Sequence, residues 1–251
     1  MRILLSNDDG WGAKGLDVLI AAMRRMGDVV VVAPDGPRSG QSSAITVTIP
    51  IRLNHIKDEP AGNGLHSLSV YTSSGTPADC IKLGMQVLMR DALPDLVCAG
   101  INHGDNSTVN ARYSGTMGAV FIGTEHNIPA IGYSICDYSH DADFSQLEPY
   151  ILPLTRDILE TVRTSGIDRL CWNINAPMGE IKGVRRTRQC RGYWDKEMKE
   201  YTDPTGKPFY MLTGVYVNTE PDAGDTDQYA LAHGYISVCP TTIDMTSYAS
   251  L

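Results

Sequence analysis

The sequence predicts an α/β fold: a doubly wound, mostly parallel sheet with a C-terminal β-hairpin extension. Three observations lead there. Short apolar runs without polar alternation recur at Arg2 to Ser6, Val29 to Ala33 and Asp95 to Ala99, as in strands covered on both faces. Between them lie segments whose apolar residues repeat at helical spacing. Beyond Pro177 this alternation stops, and from Gly183 to Val217 no helical period appears.

The elements follow in order. After the strand Arg2 to Ser6, Leu16, Leu19, Ile20 and Met23 fall on one helical face. The run Val29 to Ala33 stops at Pro34. Ala44 to Ile51 and Leu65 to Thr72 are rich in Ile, Val, Ser and Thr and read as extended. A helix is expected from about Thr76, with Pro77 in its first turn and Ile81, Gly84, Met85 and Leu88 sharing a face. Asp95 to Ala99 is the next buried strand, Ser114 to about Glu125 a helix, and Ala130 to Tyr133 a strand. Leu147 to Val162 carries Ile151, Leu154 and Ile158 on one side, although Pro149 and Pro153 weigh against its first half. Leu170 to Ile174 closes the alternating part.

The remainder reads as a β-hairpin arm. Phe209 to Leu212 and Val215 to Val217 favour strands, and Asp203-Pro204-Thr205-Gly206 is the turn candidate. Such an arm is too thin to stand alone and must pack on the body or on another subunit. The seven basic residues from Lys182 to Lys199 read as a solvated face compensated by nearby acids or by a partner subunit, ahead of a phosphate-facing patch.

Composition bounds the function. The 251 residues are 42% hydrophobic and 20% charged, which suits a globular chain that can bury a sizeable core. A formal charge of -8 argues against coating a nucleic-acid polymer, but not against a local site for a small anion. The six cysteines form no CxxC pair and read as small buried residues of a reducing compartment. With no signal peptide and no membrane-length apolar run, a cytoplasmic location away from membranes is expected.

Four segments that follow predicted strands or open a helix carry chemistry. In a doubly wound sheet, ligands bind at the carboxyl ends of the strands. Ser6-Asn7-Asp8-Asp9-Gly10 places two adjacent carboxylates at a strand end, a pair that suits Mg²⁺ or Mn²⁺; an Asp-Gly turn is the plain alternative. Pro34 to Ser43 offers Arg38 for a phosphate and the Ser39 hydroxyl for a metal or an anion, or is simply a polar loop. Gly100 to Asn106 brings the Asn102 carbonyl oxygen for a hard cation, Asn106 as a donor to an oxyanion, and His103 as an acid or base or merely an exposed side chain. Tyr113-Ser114-Gly115-Thr116 opens a helix, where free N–H groups bind anions, although an ordinary cap by Ser114 competes. Together the four suggest a divalent ion beside a phosphate held by Asn106, Ser114 and Thr116. Trp11 and Tyr113 flank the site in sequence and could stack on a purine or simply pack. A literal GxGxxG, Gly10 to Gly15 with Asp35 downstream, competes as a dinucleotide fingerprint, but Asp8 and Asp9 would set negative charge against a pyrophosphate.

In their order along the chain, these segments resemble the SurE (survival protein E) family of metal-dependent 5'-nucleotidases. The resemblance rests on NDDG (Asn7 to Gly10), VVAPDGPRSG (Val31 to Gly40), GTPADC (Gly75 to Cys80), GIN (Gly100 to Asn102) with Asn106, and YSGT (Tyr113 to Thr116). NIN-P (Asn173 to Pro177), DAGDTD (Asp222 to Asp227) and GYISVCP extend it towards the C-terminus. It makes the GxGxxG a coincidence. It implies a Rossmann-like body over 1–182, with the hairpin arm and return strands of 183–251 in the same domain. It implies one divalent ion per subunit (Mg, Mn or Co) on Asp8, Asp9, Ser39 and Asn102, and phosphate contacts from Asn106, Ser114, Gly115 and Thr116, with Asp8, Asp9, Asn106 and Ser114 as the catalytic set. The implied reaction is hydrolysis of nucleoside 5'-monophosphates, with a non-catalytic nucleotide sensor or an exopolyphosphatase-type enzyme as alternatives. The attacking group is either a water activated by the metal or Asp8 itself. The resemblance also implies a homodimer or homotetramer formed by exchange of the arm. Lys14, Thr108, Asn110 and Ile122 depart from the family pattern and bear on substrate preference and loop geometry.

Overall fold

The structure, a computed structural model, describes residues 1–139, 141–166 and 170–248. Among these, nine strands form one sheet in the order β3-β4-β2-β1-β5-β6-β7-β13-β8. The strands are β1 (Arg2–Ser6), β2 (Asp28–Pro34), β3 (Leu53–Glu59), β4 (Leu68–Ser73), β5 (Leu96–His103), β6 (Ala130–Ile135), β7 (Leu170–Ala176), β8 (Val184–Arg186) and β13 (Ile236–Thr242). From β4 to β7 every neighbour is parallel, while β3 and β13 run antiparallel at the two ends of that block. The chain builds outward from β1 through β2 and β4, then returns to β5 on the other side of β1. The carboxyl ends of β1 and β5 therefore form the switch point where such a sheet opens a crevice.

Both faces of the sheet are covered. One core packs Leu16, Leu19 and Met23 of α1 (Lys14–Met23) and Ile151, Leu154 and Ile158 of α4 (Glu148–Ser165) against Ile3, Leu5 and Val31. The other packs Ile81 of α2 (Pro77–Leu83) and Met117 and Val120 of α3 (Gly115–Glu125) against Leu4, Val32 and Val97. The strand side chains alternate between the two cores, which is why these runs are apolar throughout. The first helical turn of α2 is set by a reciprocal capping box between Thr76 and Asp79, with Pro77 following the cap. Pro149 sits in the first turn of α4, where backbone N–H groups have no helical partner; Pro153 lies inside the helix and gives up one backbone bond, yet the helix runs on to Ser165, capped by Gly166 in left-handed conformation. Ile122 is buried in the second core.

One element departs from expectation. Ala44 to Ile51 is not a strand; the edge strand is β3, which follows it. The segment's polar groups go to α2 instead of a ladder: Thr46 donates through its backbone N–H and its hydroxyl to Asp79, and the Thr76 hydroxyl donates to the Ala44 carbonyl. Its Ile45, Val47 and Ile49 are exposed.

The arm is two antiparallel ribbons. β9 (Gly192–Asp195) pairs with β12 (Val215–Asn218), and between them β10 (Met198–Thr202) pairs with β11 (Pro208–Leu212) around the Asp203 to Gly206 turn. The chain then enters α5 (Asp227–Ala232) and returns as β13. Arg188 of the basic stretch is held by Glu220 and Asp225, acids that lie beyond the ribbons. All six cysteines are free, and all but Cys136 are buried. Among the described residues no helix is long and apolar enough to cross a membrane.

Candidate functional site

A cavity of 720 Å³ opens at the carboxyl ends of β1 and β5. The body lines it with Asp8, Ser39, Asn102, His103, Asn106, Tyr113 and Ser114. All four polar segments read from the sequence thus reach one crevice. The arm supplies the outer wall through Trp194, Glu197 and the segment Leu212 to Gly214, and Tyr138 adds another aromatic face.

Asp8 leaves β1 with its side chain only 3% exposed, and the Thr116 hydroxyl donates to its Oδ1 at 2.5 Å. Gly115 permits this approach: a Cβ there would lie 2.8 Å from the Asp8 Cβ, so only glycine lets α3 dock on the end of β1. Asp9 is not among the residues that line the cavity and accepts from the His103 backbone N–H at 3.3 Å. Burial pushes Asp8 up to about 6; the Thr116 bond opposes that shift and the Asp9 charge adds to it. Burial raises Asp9 as well. Among the described residues neither carboxylate has a basic partner.

The loop after β2 arrives through its backbone. The Arg38 N–H donates to the Asp8 carbonyl at 2.7 Å, which sets Ser39 beside the cavity. The Arg38 guanidinium pairs with Asp35 and is not among the groups that line the cavity. Asn102 donates its amide nitrogen to the Gly104 carbonyl at 2.9 Å, which leaves its carbonyl oxygen as the face for a cation.

Asn106 is held on three sides. Its backbone N–H donates to Asn175, its carbonyl accepts from the Asn173 amide, and its own amide donates to Ser134, each within 2.9 Å. Asn175 in turn donates to Asn173. Ser114 caps α3 by accepting from the Met117 N–H, which leaves its hydroxyl hydrogen for an acceptor in the cavity. Thr116 is fully buried, with its hydroxyl committed to Asp8. Gly115 and Thr116 can therefore serve an anion only through the backbone N–H groups of the first turn.

The donor set fits a hard divalent cation. Among the described residues, Asp8 and its neighbour Asp9 are desolvated carboxylates without a counterion, and Asp8 stands in one cavity with the Ser39 hydroxyl and the Asn102 amide carbonyl, all oxygens. Among the described residues no group of three or more His, Cys, Asp or Glu is placed to hold a metal, so such a site depends on neutral oxygens beside the aspartates.

The aromatic candidates separate. Tyr113 lines this cavity and is 53% exposed, whereas Trp11 lines a different one with Asp17, Arg24 and Leu68. Trp194 was not marked by its sequence neighbourhood. Its indole N–H donates to the Asn110 side chain at 2.8 Å, tying the arm to the loop before α3 at one of the positions that depart from the family pattern.

The family model described as survival protein SurE matches residues 3–196. A relative from Phocaeicola vulgatus named 5'-nucleotidase SurE is 48% identical over 250 residues, covering 99% of this chain and 93% of the relative. A second of the same name, from Bacteroides fragilis, is 46% identical over 248 residues, covering 98% of this chain and 93% of the relative. A crystal structure of SurE protein from Aquifex aeolicus superposes with a TM-score of 0.80 at 32% sequence identity, covering 100% of this chain and 97% of that one.

Proposed function

The chain belongs to the survival protein SurE family, and from that premise we propose that it is a phosphomonoester hydrolase, a divalent-metal-dependent 5'-nucleotidase that converts nucleoside 5'-monophosphates to nucleoside and phosphate. The observation that carries the reading is the single crevice that sets desolvated Asp8 beside Ser39, Asn102, Asn106 and Ser114, with Asp9 next to Asp8 in the chain and bonded to the His103 N–H of the same crevice. A plain anion binder would not place uncompensated carboxylates against its ligand.

Asp8, Asp9, Ser39 and Asn102 would hold one divalent cation, Mg, Mn or Co. When bound, that cation supplies Lewis acidity and charge neutralisation at the phosphoryl oxygens. Asn106 and the Ser114 hydroxyl donate to the phosphate, and the first N–H groups of α3 at Gly115 and Thr116 add positive potential where charge develops. The buried Asn173 and Asn175 keep Asn106 from rotating away. The nucleoside extends towards Tyr113 and the arm.

The decisive experiment is phosphate release from nucleoside monophosphates, aryl phosphates and polyphosphates of graded length with Mg²⁺, Mn²⁺ or Co²⁺. Turnover of the monophosphates is expected; tight nucleotide binding without turnover would replace the reading with a sensor. A second copy of the chain is the partner we assign to the arm, giving a homodimer or homotetramer. Supporting this, among the described residues β10 and β11 pair only with each other, and both are exposed along their whole length, including Met198, Phe209, Tyr210, Met211 and Leu212.

A further inference from the structure

We infer that Asp227 is a positioning residue of the phosphate site, acting through the loop that carries Asn106 and leads to Ser114. This rests on the reading of Asn106 and Ser114 as phosphate donors. Asp227 is the first residue of α5, far from the cavity in sequence, and is 1% exposed. Its Oδ2 accepts from the Thr108 backbone N–H at 2.8 Å. Its Oδ1 accepts from the N–H groups of Cys190, at the root of the arm, and of its own neighbour Gln228, both at 2.8 Å. One buried carboxylate thus joins the phosphate loop, the arm and the returning chain.

The loop needs an external tie. Thr108 has a φ of 54°, in the left-handed region that disfavours a β-branched residue, and it begins the 3-10 turn Thr108–Arg112 that delivers Tyr113 and Ser114 to the helix start. Asn173 and Asn175 grip the loop at Asn106, and Asp227 grips it two residues later. With both grips in place the donors at Asn106 and Ser114 hold one spacing. Without the second, the loop keeps its ties at Asn110 to Trp194 and at Arg112 and Tyr113 to Ser42, but the left-handed Thr108 backbone between Asn106 and the helix start loses its hold and can shift. Because charge-stabilising donors act through placement, a displacement of this kind costs rate more than fold.

The test compares Asp227→Asn and Asp227→Ala with the wild-type protein. Asparagine retains one oxygen, which suffices for the Cys190 and Gln228 N–H groups, but turns its amide nitrogen towards Thr108, a donor facing a donor. Backbone hydrogen exchange of Asp227→Asn should therefore quicken in residues 105–113 and stay unchanged in 188–192, while Asp227→Ala quickens both. The kcat/KM for AMP should fall about tenfold in Asp227→Asn, mainly in kcat, with weaker inhibition by inorganic phosphate and little change in melting temperature. Unchanged exchange at 105–113, or full wild-type turnover despite faster exchange, overturns the inference. Should Asp227→Ala fail to fold, the asparagine variant decides alone. A wild-type protein without turnover would overturn the nucleotidase reading and the catalytic half of this inference together. A wild-type protein that turns over while Asp227→Asn matches it would overturn only the inference.

Discussion

The Thr116 hydroxyl donates to Asp8 Oδ1 at 2.5 Å, so the residue that opens α3 stabilises the charge that closes β1. Burial works against that charge, and the Thr116 bond is the largest influence opposing it. Thr116→Val keeps the shape and removes the donor. A hydrogen bond to a charged group contributes about 2 kcal/mol, so metal-dependent turnover should fall roughly thirtyfold, and Thr116→Ser should restore most of it. Losing the bond moves Asp8 further upward, so the acid limb of the pH–rate profile should shift to higher pH. Titration of activity with Mn²⁺ at several pH values measures both effects; wild-type metal affinity in Thr116→Val would show that the bond is idle.

The same carboxylate links stability to pH and metal. Its folded value, about 6, lies above the ordinary 3.8, so the folded state binds this proton more tightly than the unfolded state. The contribution of Asp8 is therefore most favourable at low pH and is lost as pH rises from about 4 to about 6, a change on the order of 3 kcal/mol. Urea unfolding in EDTA should show this fall in the wild type and only a smaller one, from Asp9, in Asp8→Asn. Saturating Mg²⁺, Mn²⁺ or Co²⁺ should restore stability at neutral pH in the wild type alone. Asp8→Asn and Asp9→Asn should each remove most activity with the fold intact.

The alternating α/β body was legible because its strands are covered on both faces and each reads as an unbroken apolar run. The edge strand Leu53–Glu59 was not, since its side chains are largely exposed and show no period, while Ala44 to Ile51 carries strand composition but gives its hydrogen bonds to Asp79 and Thr76. The candidate site divides in the same way. Segments that leave strands could be located because polarity stands out against the core. Contacts such as Asn106 with Asn175, 69 residues apart, or Thr108 with Asp227, 119 apart, have no local pattern and appear only when the sheet is closed. Trp194 and Glu197 were hidden for that reason, since the arm folds back from a distant stretch of chain.

Base recognition separates the two aromatic residues first read together. Tyr113 faces the cavity and Trp11 does not. Tyr113→Ala should raise KM for AMP about tenfold, as expected for a lost stacking contact of about 1.4 kcal/mol, while p-nitrophenyl phosphate hydrolysis changes little. Trp11→Ala should leave both substrates within about twofold of wild type, because its ring borders a separate cavity beside α1. Equal losses on both substrates for Tyr113→Ala would mean that the ring shapes the helix start and does not touch the base.

The arm gives the remaining prediction. A two-stranded ribbon has no core of its own, and β10 with β11 exposes an apolar row that water does not favour. If a second copy covers it, charge on that row should separate the subunits without unfolding the body. Phe209→Glu with Met211→Glu places two carboxylates on it, neither among the residues that line the cavity. Sedimentation should then show a smaller species than the wild-type oligomer, while the pH-dependent stability conferred by Asp8 persists. Activity should fall in step with dissociation, because Trp194, Glu197 and Leu212 to Gly214, which wall the cavity, belong to the same arm and depend on its seating. A wild-type protein that already sediments as a monomer, or a variant with unchanged mass, would overturn the assignment of a second copy to the exposed row.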